Sequence, residues 1–202
     1  MHMITAKAPD GSEMFVSRVG YTGEDGFELS VFNELADEVW DKLLSHSVVK
    51  PIGLAARDTL RLEMGYALYG HEIDATTSPI EAGINWIIGK DKNNYFAYDR
   101  IQKELAEGPS RKLVGIKLLD KGVAREGASI TDEHGNVIGA LTSGGHSPIL
   151  KSSIALGYVT PEFSQPGSKI TVIVRDRPLA AEVSTLPFVT ARTRSMKKKS
   201  AA

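Results

Sequence analysis

The sequence predicts an α+β chain. A mixed strand-and-helix region over residues 1–109 is followed by a small antiparallel β-barrel over 110–192 and a basic tail over 193–202. Three observations carry this reading. A strand–turn–strand run spans residues 14–31. Two helix-period stretches follow it. After Ser110 the chain changes to short apolar runs separated by glycine and proline turns.

Met14 to Val19 reads as a strand. Gly20-Tyr21-Thr22-Gly23-Glu24-Asp25-Gly26 is turn chemistry, and Phe27 to Val31 is a period-2 strand with Phe27, Leu29 and Val31 on one face. Asn33 is placed to cap a helix running to about Leu44, with Leu35, Val39, Trp40, Leu43 and Leu44 as its apolar stripe. Pro51-Ile52-Gly53 breaks the chain before a second helix, Ala55 to Met64, which Gly65 stops. Arg57 and Arg61, four apart, share a face of that helix. Ser78-Pro79-Ile80-Glu81 has the form of a capping box, which predicts a short helix. A further helix is expected from Asp99 to Ala106.

Six runs beyond the boundary read as strands: Arg111 to Leu119, Ser129 to Thr131, Val137 to Thr142, Ile154 to Val159, Lys169 to Val174 and Leu179 to Ser184. Turn signals lie between them, among them Lys121-Gly122, Gly144-Gly145, Pro166-Gly167 and Asp176-Arg177-Pro178. Short strands at this spacing point to a barrel or sandwich.

Composition narrows the function. Net charge is −1, which supplies no global attraction to nucleic acid or to a membrane surface. Lys197-Lys198-Lys199 is the one basic run, read as a solvated end. The absence of cysteine removes disulfides, thiolate catalysis and cysteine–metal sites, and it fits a reducing compartment. No run approaches the roughly 20 apolar residues of a membrane span, and no signal peptide is visible. The opening Met1-His2-Met3 reads as a start or a scar. Histidines 2, 46, 71, 134 and 146 show no zinc spacing, so no metal site is expected. Dinucleotide, P-loop and nucleophile-elbow motifs are absent.

Two features stand out. Tyr21 and Glu28 frame the glycine-rich turn. Glu28 is either a solvent-facing strand residue or a cleft-wall carboxylate able to accept paired hydrogen bonds from the N–H and amino edge of a pteridine or purine ring. Arg57, beside Asp58, is either one half of an ordinary ion pair or a fork that clamps a carboxylate or orders a cleft. Gly144-Gly145-His146-Ser147-Pro148 reads as a barrel turn and a secondary binding candidate. Trp40 and Trp86 read as core residues.

The strings RVGYTGEDGFE at 18–28, GLAARDTLRLEMG at 53–65, LYGHEID at 68–74, TSPIEAGINW at 77–86, LTSGGHSP at 141–148 and ALGYV at 155–159 resemble, in shared order and spacing, the aminomethyltransferases of the glycine cleavage system, the T-protein family. The resemblance runs from about Phe15 to Val189. It implies the end of a folate-binding domain followed by a terminal barrel. The family activity takes an aminomethyl group from the lipoyl arm of the H protein, releases ammonia and passes the one-carbon unit to tetrahydrofolate. The resemblance makes Tyr21, Glu28 and Arg57 folate-binding residues, and Arg192, in the stretch Arg192-Thr193-Arg194, a further ligand contact.

The family's presumed catalytic aspartate has no matching segment here, so the resemblance implies a portion of the enzyme that is inactive alone. Its partners would be tetrahydrofolate and the lipoylated H protein, with self-association of the isolated chain expected. Its compartment would be the cytoplasm in a bacterium or the mitochondrial matrix in a eukaryote. The rival reading is a non-catalytic folate-binding or interaction module, or the folate domain of a dimethylglycine- or sarcosine-oxidising enzyme.

Overall fold

The computed structural model describes residues 2–89 and 91–193. They fall into two compact units, residues 2–60 with 190–193, and residues 61–89 with 91–189. The basic run at Lys197–Lys199 and residue Arg194 lie outside the described residues.

The first unit carries a three-stranded antiparallel sheet in the order β1 (His2–Lys7), β2 (Glu13–Arg18), β3 (Glu28–Ser30). Strand β1 was not foreseen. It pairs along its whole length with β2, from His2 opposite Arg18 to Lys7 opposite Glu13. The turn joining them is closed by the Ala8 N–H donating to the Ser12 carbonyl at 2.9 Å, with Gly11 at φ +87°. Strand β3 is shorter than expected, with Phe27 and Val31 flanking it.

Helix α1 spans Ala36–Leu44 and is entered through a 3₁₀ turn at Asn33–Leu35. Asn33 does not cap it. Leu35 occupies the cap position without a side-chain bond, because the 3₁₀ turn displaces the helix start by two residues. The faces of β2, β3 and α1 leave an open apolar groove of about 730 Å³, lined by Val16, Phe27, Leu29, Val31, Val39 and Trp40 among others. Trp40 is therefore a groove residue, 52% exposed, and not part of a closed core.

Helix α2 spans Leu54–Glu63. Leu54–Leu60 counts with the first unit and Arg61–Glu63 with the second. Its end is a Schellman stop. The Tyr66 N–H donates to the Arg61 carbonyl and the Gly65 N–H to the Leu62 carbonyl, both at 2.9 Å, with Gly65 at φ +67°.

In the second unit the capping box at Ser78 forms both of its reciprocal bonds. The Ser78 N–H donates to Glu81 Oε2 at 2.9 Å and the Glu81 N–H to Ser78 Oγ at 3.0 Å. No helix follows, however. Residues 79–83 close as turns, Gly83 adopts φ +68°, and a 3₁₀ turn occupies Asn85–Ile87. The Glu81 carboxylate, besides capping, forms ion pairs with Arg100 at 2.9 Å and Arg111 at 3.1 Å. Trp86 in this segment is 74% exposed, contrary to the core position expected from its apolar neighbours. Helix α3 spans Tyr98–Glu107 and buries Ile101.

The barrel is closed by strands β4 (Lys112–Leu118), β5 (Ser129–Thr131), β6 (Val137–Ser147), β7 (Ser152–Val159), β8 (Lys169–Val174) and β9 (Arg177–Ser184), ordered β4-β7-β6-β5-β8-β9, with β9 returning to β4. Closure removes the sheet edges. Alternate residues meet inside it, and Ile116, Ile130 and Val172 have no solvent exposure. Each such side chain contributes about 1.5–3 kcal/mol by burial.

Gly144 and Gly145, expected at a turn, lie within the long strand β6, where they pair with Ala155 and Ile154. A Cβ on Gly144 would stand 2.4 Å from the Ala124 carbonyl oxygen, so close backbone approach requires the glycine, not chain reversal. Between β8 and β9, Arg175 (φ 49°) and Asp176 (φ 62°) are the two left-handed residues of a two-residue hairpin loop, with Val174 opposite Arg177.

Candidate functional site

The glycine-rich segment between β2 and β3 is the centre of the first unit's polar chemistry. Gly23 takes φ +75°, which lets the loop fold back on itself. Both acids of the loop are held by arginines. Arg18 Nη2 donates to Asp25 Oδ2 at 3.0 Å. Arg192 donates Nε to Glu24 Oε1 at 2.7 Å and closes a second contact to the same oxygen through Nη2. The Arg192 backbone N–H donates to the Gly23 carbonyl at 2.7 Å. A residue 168 positions away in sequence is thus bonded to the loop through both side chain and main chain.

Tyr21, in the same loop, meets Arg57 from α2. The guanidinium carbon lies 4.6 Å from the ring centroid. Such stacking aligns the cation with the negative face of the ring and keeps the remaining guanidinium donors available at its edge. Glu28 opens β3 opposite Ser17 and is exposed. It makes no ion pair among the described residues.

Of the four residues expected at a site, the structure brings Tyr21 to Arg57 and ties Arg192 to the loop through Gly23 and Glu24. Glu28 stands at the strand start that follows the same loop. The sequence reading missed Glu24 and Asp25 as anchoring acids. Their signal was an acidic pair inside a glycine-rich turn with an arginine just before it.

Arg61, read as the companion of Arg57 on one helix face, does something different. It is 2% exposed and donates Nη1 to Glu72 Oε2 at 2.8 Å and Nη2 to Ser143 Oγ at 2.8 Å. The Glu72 carboxylate also accepts the Leu68 N–H at 2.9 Å and the Thr142 hydroxyl at 2.7 Å. A bulge in β6 between Leu141 and Ser143 presents these two hydroxyl residues in succession. Ser147, from the glycine-rich string read as a secondary binding candidate, is buried and bonds Glu63. These groups form a satisfied internal network, which fixes packing and offers no open coordination to a ligand.

Among the described residues no group of three histidines or carboxylates is disposed to hold a metal ion, and no helix is long and apolar enough to cross a membrane.

Residues 1–92 match the family described as the GCVT N-terminal domain, and residues 111–190 match the glycine cleavage T-protein C-terminal barrel domain. An aminomethyltransferase from Bacteroides fragilis is 46% identical over 179 residues, covering 87% of this chain and 50% of the relative. One from Halothermothrix orenii is 47% identical over 182 residues, covering 89% of this chain and 51% of the relative. The crystal structure of the glycine cleavage system aminomethyltransferase T from Bartonella henselae superposes with a TM-score of 0.85 at 40% identity, covering 89% of this chain and 50% of that one. The chain spans about half the length of the curated relatives it matches.

Proposed function

The chain belongs to the T-protein family of aminomethyltransferases, and on that premise we propose that it forms part of a tetrahydrofolate-dependent aminomethyltransferase of the glycine cleavage system. The proposed reaction moves the one-carbon unit from the aminomethyl-lipoyl arm of the H protein to tetrahydrofolate, with release of ammonia. On this reading residues 1–109 supply the end of the folate-binding domain, 110–192 the terminal barrel and 193–202 a basic tail.

The observation that carries the proposal is the stacking of Arg57 on Tyr21 at 4.6 Å, in a loop whose acids are held by Arg18 and Arg192. An aromatic face, a cation and an exposed carboxylate then lie within one loop and its following strand and helix. Glu28 would accept paired hydrogen bonds from the N–H and amino edge of the pterin. Arg57, oriented by Tyr21, would clamp a carboxylate or order the cleft around the ring. Arg192 would hold the loop and contribute a ligand contact. These residues bind and orient, and such positioning acts on rate through geometry. Proton management at the folate nitrogens is assigned to an aspartate of the family for which this chain has no matching segment.

Calorimetric titration of the chain with tetrahydrofolate tests the reading, wild type beside Glu28→Gln and Arg57→Leu. Saturable binding weakened by both variants supports it. Binding indifferent to both would remove these residues from the site.

A further inference from the structure

The second unit contains six arginines. Three are matched to carboxylates: Arg61 to Glu72, Arg100 to Glu81 and Glu104, and Arg111 to Glu81. The other three, Arg125, Arg175 and Arg177, have no carboxylate partner among the described residues. All three line one cavity of about 940 Å³, together with Lys121.

Two segments make its walls: residues 121–129, between β4 and the end of β5's first residue, and the β8–β9 hairpin. Arg125 is held in place by donating Nη1 to the Gly144 carbonyl at 3.0 Å. Arg175 is carried in the left-handed conformation, where asparagine or glycine is the ordinary occupant of such a loop.

The cavity's acids do not cancel this charge. Four cations face two carboxylates in its lining, Glu126 and Asp176. Glu126 is engaged by His71 Nδ1 at 2.9 Å. A neighbouring depression of about 390 Å³ shares Lys121 and adds Lys151 and His146. Its one acid, Asp120, accepts the Ala180 N–H at 2.7 Å. Apolar surface from Val123, Ile173 and Leu179 completes the lining of the larger cavity.

We propose that this barrel cavity binds a small polyanion carrying two or more carboxylate or phosphate groups. Guanidinium forks pair with such groups bidentately. The cavity falls within the volume range of small-molecule sites, about 300–1,000 Å³. The cations come from two separate segments, Lys121 and Arg125 from one and Arg175 and Arg177 from the other, so two or more anionic groups on one carbon or phosphoanhydride skeleton suit them. The inference is independent of the folate reading, since none of its residues belongs to the glycine-rich loop.

The test is calorimetric titration of the 202-residue chain with citrate and, separately, with inorganic pyrophosphate, at ionic strength matched with sodium chloride. Saturable one-to-one binding of at least one probe is expected. It should weaken at least tenfold in the Arg175→Gln/Arg177→Gln double variant, and measurably in Lys121→Gln, which leaves the hairpin intact. Preference for pyrophosphate marks a phosphate ligand and preference for citrate a carboxylate one. Non-saturating heats with both probes in the millimolar range would overturn the proposal. Equal affinity in wild type and Lys121→Gln, together with equal affinity in a folded hairpin variant, would do the same.

Discussion

Arg57 lies over the ring of Tyr21, its guanidinium carbon 4.6 Å from the ring centroid, and joins a helix to a loop that is otherwise pinned by Arg18 and Arg192. Tyr21 is half-buried, and a cation on an aromatic near the surface contributes about 0.5–1 kcal/mol. A double-mutant cycle of Tyr21→Leu and Arg57→Leu, read by urea unfolding, should return a coupling of that size. A cycle that closes to zero would mean that the contact carries no energy and that its value, if any, is in orienting a ligand.

Glu28 is the most direct test of the folate reading. Glu28→Gln keeps the shape and removes the charge. The dissociation constant for tetrahydrofolate should rise by the equivalent of roughly 1–3 kcal/mol, the range of a charge-assisted hydrogen bond. Calorimetry on a folate-binding form of the protein decides it, and an unchanged constant would make Glu28 a solvent-facing strand residue.

The Arg61–Glu72 pair is almost without solvent, with side chains 2% and 0% exposed. Removing one partner leaves a buried charge uncompensated, at a cost of about 3–5 kcal/mol. Arg61→Met should therefore lower the urea midpoint sharply. Adding Glu72→Gln to it should cost less than Glu72→Gln alone, because the charge left behind by the first change is gone. Strict additivity of the two would contradict a coupled pair.

Asp74 provides a pH test. The Thr76 hydroxyl, then the Thr76 N–H and the Thr77 hydroxyl, bond its carboxylate and lower its pKa from 3.8 to about 2. The folded-state pKa is depressed, so the stabilisation is fully present above pH 3.8 and is lost as pH falls through about 2. Carboxyl resonances followed by NMR should show Asp74 titrating near the lower value. Thr76→Val should move the midpoint upward. A midpoint that does not respond to that change would show that the threonine is not the cause.

The barrel was legible because its strands alternate and its turns are punctuated. Lys169 to Val174 and Ser129 to Thr131 coincide with β8 and β5. Glycine misled at Gly144-Gly145, since the residue serves both reversal and close approach, and only the nearness of the Ala124 carbonyl separates the two. The capping box at Ser78 formed its bonds and still led to no helix, because left-handed Gly83 closes the chain after one turn, the Ile84 N–H donating to the Pro79 carbonyl at 2.9 Å. Strand β1 is followed by Pro9-Asp10-Gly11-Ser12, a hairpin turn signal that the sequence reading passed over, and its pairing with β2 defines it. In the candidate site the resemblance named Tyr21, Glu28, Arg57 and Arg192, but neither the local pair Arg18–Asp25 nor Arg192 with Glu24 was read. A contact across 168 residues leaves no periodicity to detect.

The last prediction concerns the chain by itself. The 202-residue polypeptide should fail to release ammonia from aminomethyl-loaded H protein in the presence of tetrahydrofolate. The chemical reason is that the family's aspartate, which would manage protons at the folate nitrogens, has no matching segment here. The structural reason lies in the first unit. Phe27 is 66% exposed and Trp40 52%, both lining an open apolar groove, and among the described residues no strand pairs with the outer edge of β1. Apolar surface of this kind, beside a free strand edge, drives association. Sedimentation at micromolar concentration should accordingly show concentration-dependent self-association, reduced by Phe27→Ser, which shortens the groove wall without touching the sheet register. A clean monomer would mean that the groove is tolerated by solvent. Ammonia release at the rate expected of an aminomethyltransferase would mean that the chain holds a proton-transfer group not identified here, and would redirect the search to the acids of the glycine-rich loop.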